Sequence, residues 1–399
     1  MKNNIFTNYF MFNLCLLMQF ALVACSDVKF SKDNQSSECQ NTNNNCVSQN
    51  GDSNFDYTVT VSGGKVDILI VNDNSASMSF EQKRLAPRFA DFIKQLDDRF
   101  VDYRLAMTTT DIADSNNEAR TINQNGSLQN GNLISFGSGY KYLTPQITDR
   151  QTRFNNTIVR PETLQCEKFI ADWIKQNGLG NTESNASYSS QYKQNCPSGD
   201  ERGVYAANMT MKNNPDSFLR SDAHLSIIFL SDEDERSGLY NQSGYELTTL
   251  DQPADLIKNI NDSLGSGKST SIHSIIVKDT ACLNQQNSQI LGDPGVSASQ
   301  GFVRGSIGNL YLTFSQSKWG KAVDICSSDY TSQLGQISAS IIDQIDKIQL
   351  KCDNPKDLLI TVSSSDTNLN YTVSGRSIDF NKKLPIGTSI KLKYSCSGI

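Results

Sequence analysis

The chain has 399 residues, of which 37% are apolar and 20% charged, with ten cysteines, two histidines and a formal net charge of −6. At roughly 150 residues per domain this supports two or three compact units, which excludes disorder throughout. The acidic balance excludes a nucleic-acid binder, whose phosphate contacts need a basic surface, and two histidines leave little for a His-based zinc or haem site.

Lys2 precedes an apolar run from Tyr9 to Val23 that is short for a membrane span and closely followed by polar residues, so residues 1–24 read as a secretory signal. The run ends Leu22-Val23-Ala24-Cys25, which resembles the bacterial lipoprotein box, where the cysteine is diacylated and cleavage falls on its N-terminal side. That resemblance implies a lipid anchor on Cys25, because two acyl chains bury many CH₂ groups at ~0.8 kcal/mol each. Ser26 after the cysteine favours the outer membrane, with the folded part periplasmic or surface-exposed. An ordinary secretory signal with an incidental Cys25 is the competing reading.

With Cys15 in the signal and Cys25 lipidated, eight cysteines remain, and an even number in an exported chain implies disulfides. Adjacency alone suggests Cys39–Cys46, Cys166–Cys196, Cys282–Cys326 and Cys352–Cys396. A zinc site competes, but the sequence holds no CxxC spacing.

Residues 25–56 are rich in Asn, Ser, Gln and Asp and read as a flexible polar tether. Structure is expected from Tyr57. After the Gly63-Gly64 turn, Val66–Val71 is the near-continuous apolar run of a buried parallel strand, and Asp73-Asn74-Ser75-Ala76-Ser77 follows it. Phe80 to Phe100 has helical periodicity at Leu85, Phe89, Phe92, Ile93 and Leu96, and Tyr103–Met107 is a second strand ending in Thr108-Thr109-Thr110-Asp111. Residues 113–200 read as a polar insertion with a helix around Glu167–Lys175.

The regular pattern resumes with a helix from Gly203 to Met211, a strand Leu225–Leu230 running into Ser231-Asp232-Glu233-Asp234-Glu235, a helix Ala254–Leu264, a strand Ser271–Val277 and an amphipathic helix Tyr330–Ile348. Alternating strands and helices predict an α/β fold with a doubly wound, mostly parallel sheet over 57–351. From 352 to 399 short alternating strands predict a small all-β appendage, a size that needs a staple or a docking surface.

Asp73, Ser75 and Ser77 after a buried strand, with Asp232 after a later one, resemble the metal-ion-dependent adhesion site of von Willebrand factor A (VWA) domains. Val66–Met78, Thr108–Asp111, and Asn213–Arg220 leading into Phe229–Asp234 are similar to the VWA lipoproteins of predatory and gliding bacteria, over about residues 57–350. The resemblance implies a Rossmann-like fold and a divalent cation, Mg²⁺ first and Mn²⁺ or Ca²⁺ as alternatives, held by Asp73, Ser75, Ser77 and Asp232. It also implies that an open coordination position accepts a carboxylate from an extracytoplasmic protein or glycan partner. Hard oxygen donors at the carboxyl ends of central strands suit such an ion. Capping of the following helix is the structural alternative for these residues.

The family's third piece, a loop threonine, does not map here; Ser198, Asp200 or Glu201 would stand in. Asp234 competes with Asp232 for register, and Thr110 and Asp111 are candidates for outer contacts, with turn capping as the alternative. The competing functions are a metal-free envelope scaffold and a metal-dependent hydrolase. Against the hydrolase, no phosphate loop, Ser-His-Asp set or HExxH is present. His224 and His273 read as structural, and Trp173 and Trp319 as core or interface anchors.

Overall fold

The computed structural model of the chain describes residues 46–49, 52–61, 64–112, 128–178, 185–236, 246–265, 268–288, 290–291, 296–297, 305–318, 320–363, 369–385 and 387–397. The signal, the anchor at Cys25, the Cys39–Cys46 pairing, Trp319 and residues 113–127 of the expected insertion lie outside them. Among the described residues no helix is long and apolar enough to cross a membrane.

Two strands precede the expected start of structure. β1 (Cys46–Gln49) pairs antiparallel with β2 (Asp52–Thr60), so residues 46–49 and 52–56 of the expected tether are strand. β2 in turn pairs along its whole length with the last strand of the chain, from Asp52↔Ser397 to Thr60↔Ser389. The central domain therefore begins after this strand, at β3 (Lys65–Asn72).

Every residue of β3 after Lys65 is buried, and both faces are covered. Ile68 and Ile70 point to one core, and Leu69 and Val71 to the other. This two-sided burial explains why the sequence lacks polar alternation. Asp67 interrupts the run, and Arg220 satisfies it with its backbone N–H at 2.6 Å and its Nε at 2.8 Å.

The expected helix from Phe80 to Phe100 is two helices, α1 (Ser79–Leu85) and α2 (Phe89–Asp98), separated by a 3₁₀ turn over Ala86-Pro87-Arg88. Pro87 has no N–H to continue the ladder. β4 (Asp102–Thr109) lies parallel to β3, and β5 (Tyr142–Leu143) closes that edge antiparallel. Besides β5, the described part of the insertion holds three helices: α3 (Arg150–Ile158), α4 (Pro161–Asn177) and α5 (Ala186–Asn195). Disulfide Cys166–Cys196 ties α4 to the end of α5.

α6 (Gly203–Asn213) leads into β6 (His224–Ser231), followed by α7 (Pro253–Leu264), β7 (Thr270–Ile276) and α8 (Thr280–Asn287). A two-stranded ribbon, β8 (Ile290–Leu291) with β9 (Val296–Ser297), precedes α9 (Asn309–Ser317), β10 (Ala322–Asp324) and α10 (Tyr330–Ile345). The six-stranded sheet has the order β10-β7-β6-β3-β4-β5, parallel except at β5. Phe89, Phe92 and Leu96 with Leu334, Ile337 and Ile341 fill one face; Val204, Met211, Leu256, Ile260 and Phe314 fill the other. Full burial of each such side chain contributes ~1.5–3 kcal/mol. Disulfide Cys282–Cys326 pins α8 to the segment after β10.

The C-terminal unit holds β11 (Ile348–Gln349), β12 (Lys356–Val362), β13 (Tyr371–Ser374), β14 (Ser377–Phe380) and β15 (Ser389–Ser397). One sheet runs β1-β2-β15-β12 and a second runs β11-β14-β13, over a core that includes Phe55, Ile378, Ile390, Leu392 and Tyr394. The unit is stapled by Cys352–Cys396 and completed by the two strands from before the central domain.

Candidate cation site

β3 and β6 are adjacent and parallel, with Asn72 opposite Leu230. The residues that follow them, Asp73 and Asp232, therefore leave the sheet side by side at its carboxyl end. The Asp73 N–H still donates to Leu230 O at 2.9 Å, so the loop starts from a fixed point.

Within the loop Asp73 organises its neighbours. The Ser75 N–H donates to Asp73 Oδ1 at 2.8 Å, and the Ser231 hydroxyl donates to Asp73 Oδ2 at 2.6 Å. Ser75 Oγ and Ser77 Oγ are 3.0 Å apart, and Ser77 Oγ donates to Asp232 Oδ1 at 3.0 Å. The structure thus brings Asp73, Ser75, Ser77 and Asp232 into one hydrogen-bonded chain of hard oxygen donors, with both carboxylates fully buried and both serines at 8–9% exposure. Ser231, which the sequence reading passed over, holds the second Asp73 oxygen; its position immediately before Asp232 at a strand end was the available signal.

Of the three stand-ins for the loop threonine, Glu201 is the one placed among these groups. It is buried, and burial pushes its carboxyl well above the usual range, with repulsion from Glu233, Asp73 and Asp200 adding to the shift. Its backbone forms a bridge with Asp111, and Arg202 N donates to Thr110 O at 3.2 Å. Thr110 and Asp111 therefore position the Glu201 segment from the end of β4. Asp200 is engaged elsewhere, with Arg236 Nη2 2.7 Å from its Oδ2. Ser198 Oγ accepts the Asp200 N–H at 3.1 Å, a turn contact.

Asp234 also serves a different purpose. Its carboxylate accepts the Leu310 N–H at 3.0 Å, at the start of α9, which suits a carboxylate at a helix N-terminus. Glu235 does the same for α6, accepting the N–H groups of Val204 and Tyr205 at 2.8 and 3.2 Å and the Tyr311 hydroxyl at 2.7 Å.

Behind the loop, the Thr163 hydroxyl donates to Asn74 O at 2.8 Å and Gln82 Nε2 donates to Asp73 O at 2.9 Å. The buried pair Arg160–Glu162, with Nε and Oε1 at 2.7 Å, closes this layer. The backbone of the loop after β3 is thereby held from α1 and α4.

Burial raises the Asp73 carboxyl, opposed by its bonds from Ser231 and Ser75. A divalent cation would neutralise this concentration of carboxylates, and the donors present, carboxylate and hydroxyl oxygens without sulfur or imidazole, suit Mg²⁺ or Mn²⁺. The residues fit the ion. Elsewhere among the described residues, the grouping of Cys282, Asp324 and Cys326 is not a metal site, because its two cysteines form a disulfide. Both histidines are in hydrogen bonds: Ser271 Oγ lies 2.8 Å from His224 Nε2 and 3.0 Å from His273 Nε2.

No protein-family model matches the sequence, and no curated protein matches it. Among solved structures the chain is similar to the pilus adhesin SpaC from Lactobacillus rhamnosus GG, at 11% identity and TM-score 0.37, with 88% of this chain and 42% of that one covered. It is also similar to a von Willebrand factor type A protein from Catenulispora acidiphila, at 14% identity and TM-score 0.32, covering 86% and 60%. A third is proximal thread matrix protein 1 from the mussel byssus, at 10% identity and TM-score 0.31, covering 75% and 52%. The chain spans less than two thirds of the length of each. Its own topology makes it an α/β protein with a doubly wound, mostly parallel six-stranded sheet and an antiparallel β unit at the C-terminal side.

Proposed function

We propose that this chain is a cell-envelope lipoprotein of VWA type that presents a divalent cation, Mg²⁺ in the first instance, to a carboxylate on an extracytoplasmic protein or glycan. The observation that carries the reading is the continuous chain Asp73–Ser75–Ser77–Asp232 across the ends of two adjacent parallel strands. Asp73, Ser75, Ser77 and Asp232 would hold the ion, with Glu201 beside them. The ion would supply a positive charge with an open position for the partner's oxygen. Glu201 adds negative charge where the resembled family has a threonine, which weakens capture of an acidic partner and broadens metal choice towards Mn²⁺ or Ca²⁺. Three disulfides suit an oxidising compartment outside the cytoplasm. We read the chain as a binding module and not an enzyme, with His224 and His273 hydrogen-bonded to serine hydroxyls.

The test is calorimetric titration of the purified full chain with Mg²⁺, Mn²⁺ and Ca²⁺ beside its Asp73→Ala variant. Saturable binding that the variant loses supports the reading. Absence of binding by the unaltered chain overturns it and leaves a metal-free scaffold. Cys25→Ser should release the protein from membranes; continued membrane fractionation would count against the anchor.

A further inference from the structure

α5 buries none of its ten residues, so burial in the domain core does not hold it in place. It is kept on α4 by the Cys166–Cys196 disulfide and by rings. Tyr188 stacks on Phe169 at 5.5 Å between centroids and meets Trp173 edge-on at 5.3 Å, and Tyr192 lies 5.8 Å from Tyr188. All four rings are half-buried. Phe169 and Trp173 stand four residues apart on α4 and so share one face. Both line a groove of about 300 Å³ between the helices.

We propose that this groove is a saccharide-binding site that takes roughly one or two rings of a neutral glycan, a size set by a cavity at the small end of ligand pockets. The C–H faces of a sugar ring pack on aromatic surface, which Trp173 and Phe169 supply. The sugar's hydroxyls each donate and accept, and the remaining wall is rich in amides, which do the same: Gln165, Gln176, Gln191 and Asn195. Gln165 Nε2 reaches Asn195 Oδ1 at 3.3 Å, a long, exposed bond that a ligand hydroxyl replaces at little cost. The charged residues of the wall, Lys168 and Asp172, are paired with each other across one helical turn, so the groove offers no net charge to an ionic ligand.

The hairpin stands against the metal loop without sharing its donors. Ala76 packs in one cluster with Cys166, Ile170, Ile174 and Cys196, and Thr163 bonds the Asn74 carbonyl. The saccharide site is thus distinct from the cation, and its occupancy does not depend on the ion.

The test titrates the purified full chain with two neutral probes, the N-acetylglucosamine trimer and cellotriose, following the heat of binding by calorimetry. Saturable binding is expected with at least one probe. It should weaken at least tenfold in Trp173→Ala and at least threefold in Gln176→Ala, whose exposed side chain can be cut without unfolding the hairpin. It should persist in Asp73→Ala and in the presence of a chelator. No binding of either trimer overturns the proposal, as does affinity in both hairpin variants unchanged from that of the unaltered chain. Loss of sugar binding in Asp73→Ala with the hairpin intact also overturns it, because it places the glycan on the cation.

Discussion

Ser77 donates its hydroxyl to Asp232 across 3.0 Å, joining two loops that lie 155 positions apart in the chain. The bond exists because β3 and β6 are neighbours in register, so the loops after them meet at the same height of the sheet. Ser77→Ala should therefore cost little stability, about 0.5–1.5 kcal/mol for one hydrogen bond, while lowering Mg²⁺ affinity at least tenfold. Thermal unfolding beside calorimetric titration separates the two effects.

Glu201 should respond to metal in the opposite sense from an ordinary core residue. Its carboxyl is raised in the folded state by burial and by Glu233, Asp73 and Asp200, so the folded chain holds a proton that the unfolded chain releases. Stability from this group is full below the unfolded value near 4.5 and falls as pH rises through it towards the folded value. At pH 7 in chelator, Glu201→Gln should melt above the unaltered chain, by about 2–4 °C for each kcal/mol recovered. In saturating Mg²⁺ the order should reverse, since the ion restores the value of the charge. A variant that melts lower in chelator contradicts this.

Gly305 gives a steric route to the same site. A Cβ there would come within 2.5 Å of Asp232 O, and Ser306 N donates to that same carbonyl at 2.9 Å. Gly305→Ala must displace the Asp232 segment, and weakened cation binding with Asp73, Ser75 and Ser77 all intact is the expected outcome, read by titration.

Breaking Cys166–Cys196 by a double change to alanine removes a crosslink spanning 30 positions. Chain entropy puts its contribution at roughly 3–4 kcal/mol. Because α5 buries no residue, the loss should appear first as faster amide exchange over 186–195, with β3 and β6 still protected. Uniform loss of protection across the sheet would show that the hairpin is integral to the domain.

The two histidines set a pH dependence. Burial lowers both, His224 to about 3 and His273 to about 3, from 6.5. The unfolded chain binds protons below pH 6.5 that the folded chain refuses, so the stability these groups permit is full above pH 6.5 and falls as pH drops towards 3. His224→Asn loses hydrogen bonds to Ser269 and Ser271 and should be less stable at pH 7. The gap to the unaltered chain should narrow by about 1.4 kcal/mol per pH unit below 6.5. A constant gap between pH 7 and pH 4.5 would rule this out.

Much of the site was legible locally. Val66–Val71 announces a strand buried on both faces, and Asp73, Ser75, Ser77 and Asp232 stand at strand ends where a doubly wound sheet places its ligands. The break at Pro87 was also readable, since proline cannot continue a helical ladder. The choice among Ser198, Asp200 and Glu201 was not. It depends on the Asp111–Glu201 bridge and the Asp200–Arg236 ion pair, contacts between segments with no common periodicity. Asp234 and Asp232 look alike in a run of acids, and only the start of α9 against Asp234 separates them.

By itself the sequence determined the alternation of strands and helices and the positions of the oxygen donors, and adjacency suggested the Cys166–Cys196, Cys282–Cys326 and Cys352–Cys396 disulfides that the fold forms. These follow from periodicity and spacing, which are local properties of the chain. Only the tertiary structure decided that β2 completes the sheet of β15, that Glu201 is buried within reach of the charge on Asp73 and that two aromatic-bearing helices form a groove near the loop after β3. Those outcomes pair residues far apart in the chain, and the packing that selects them exists only once the sheet has set the relative positions of its loops.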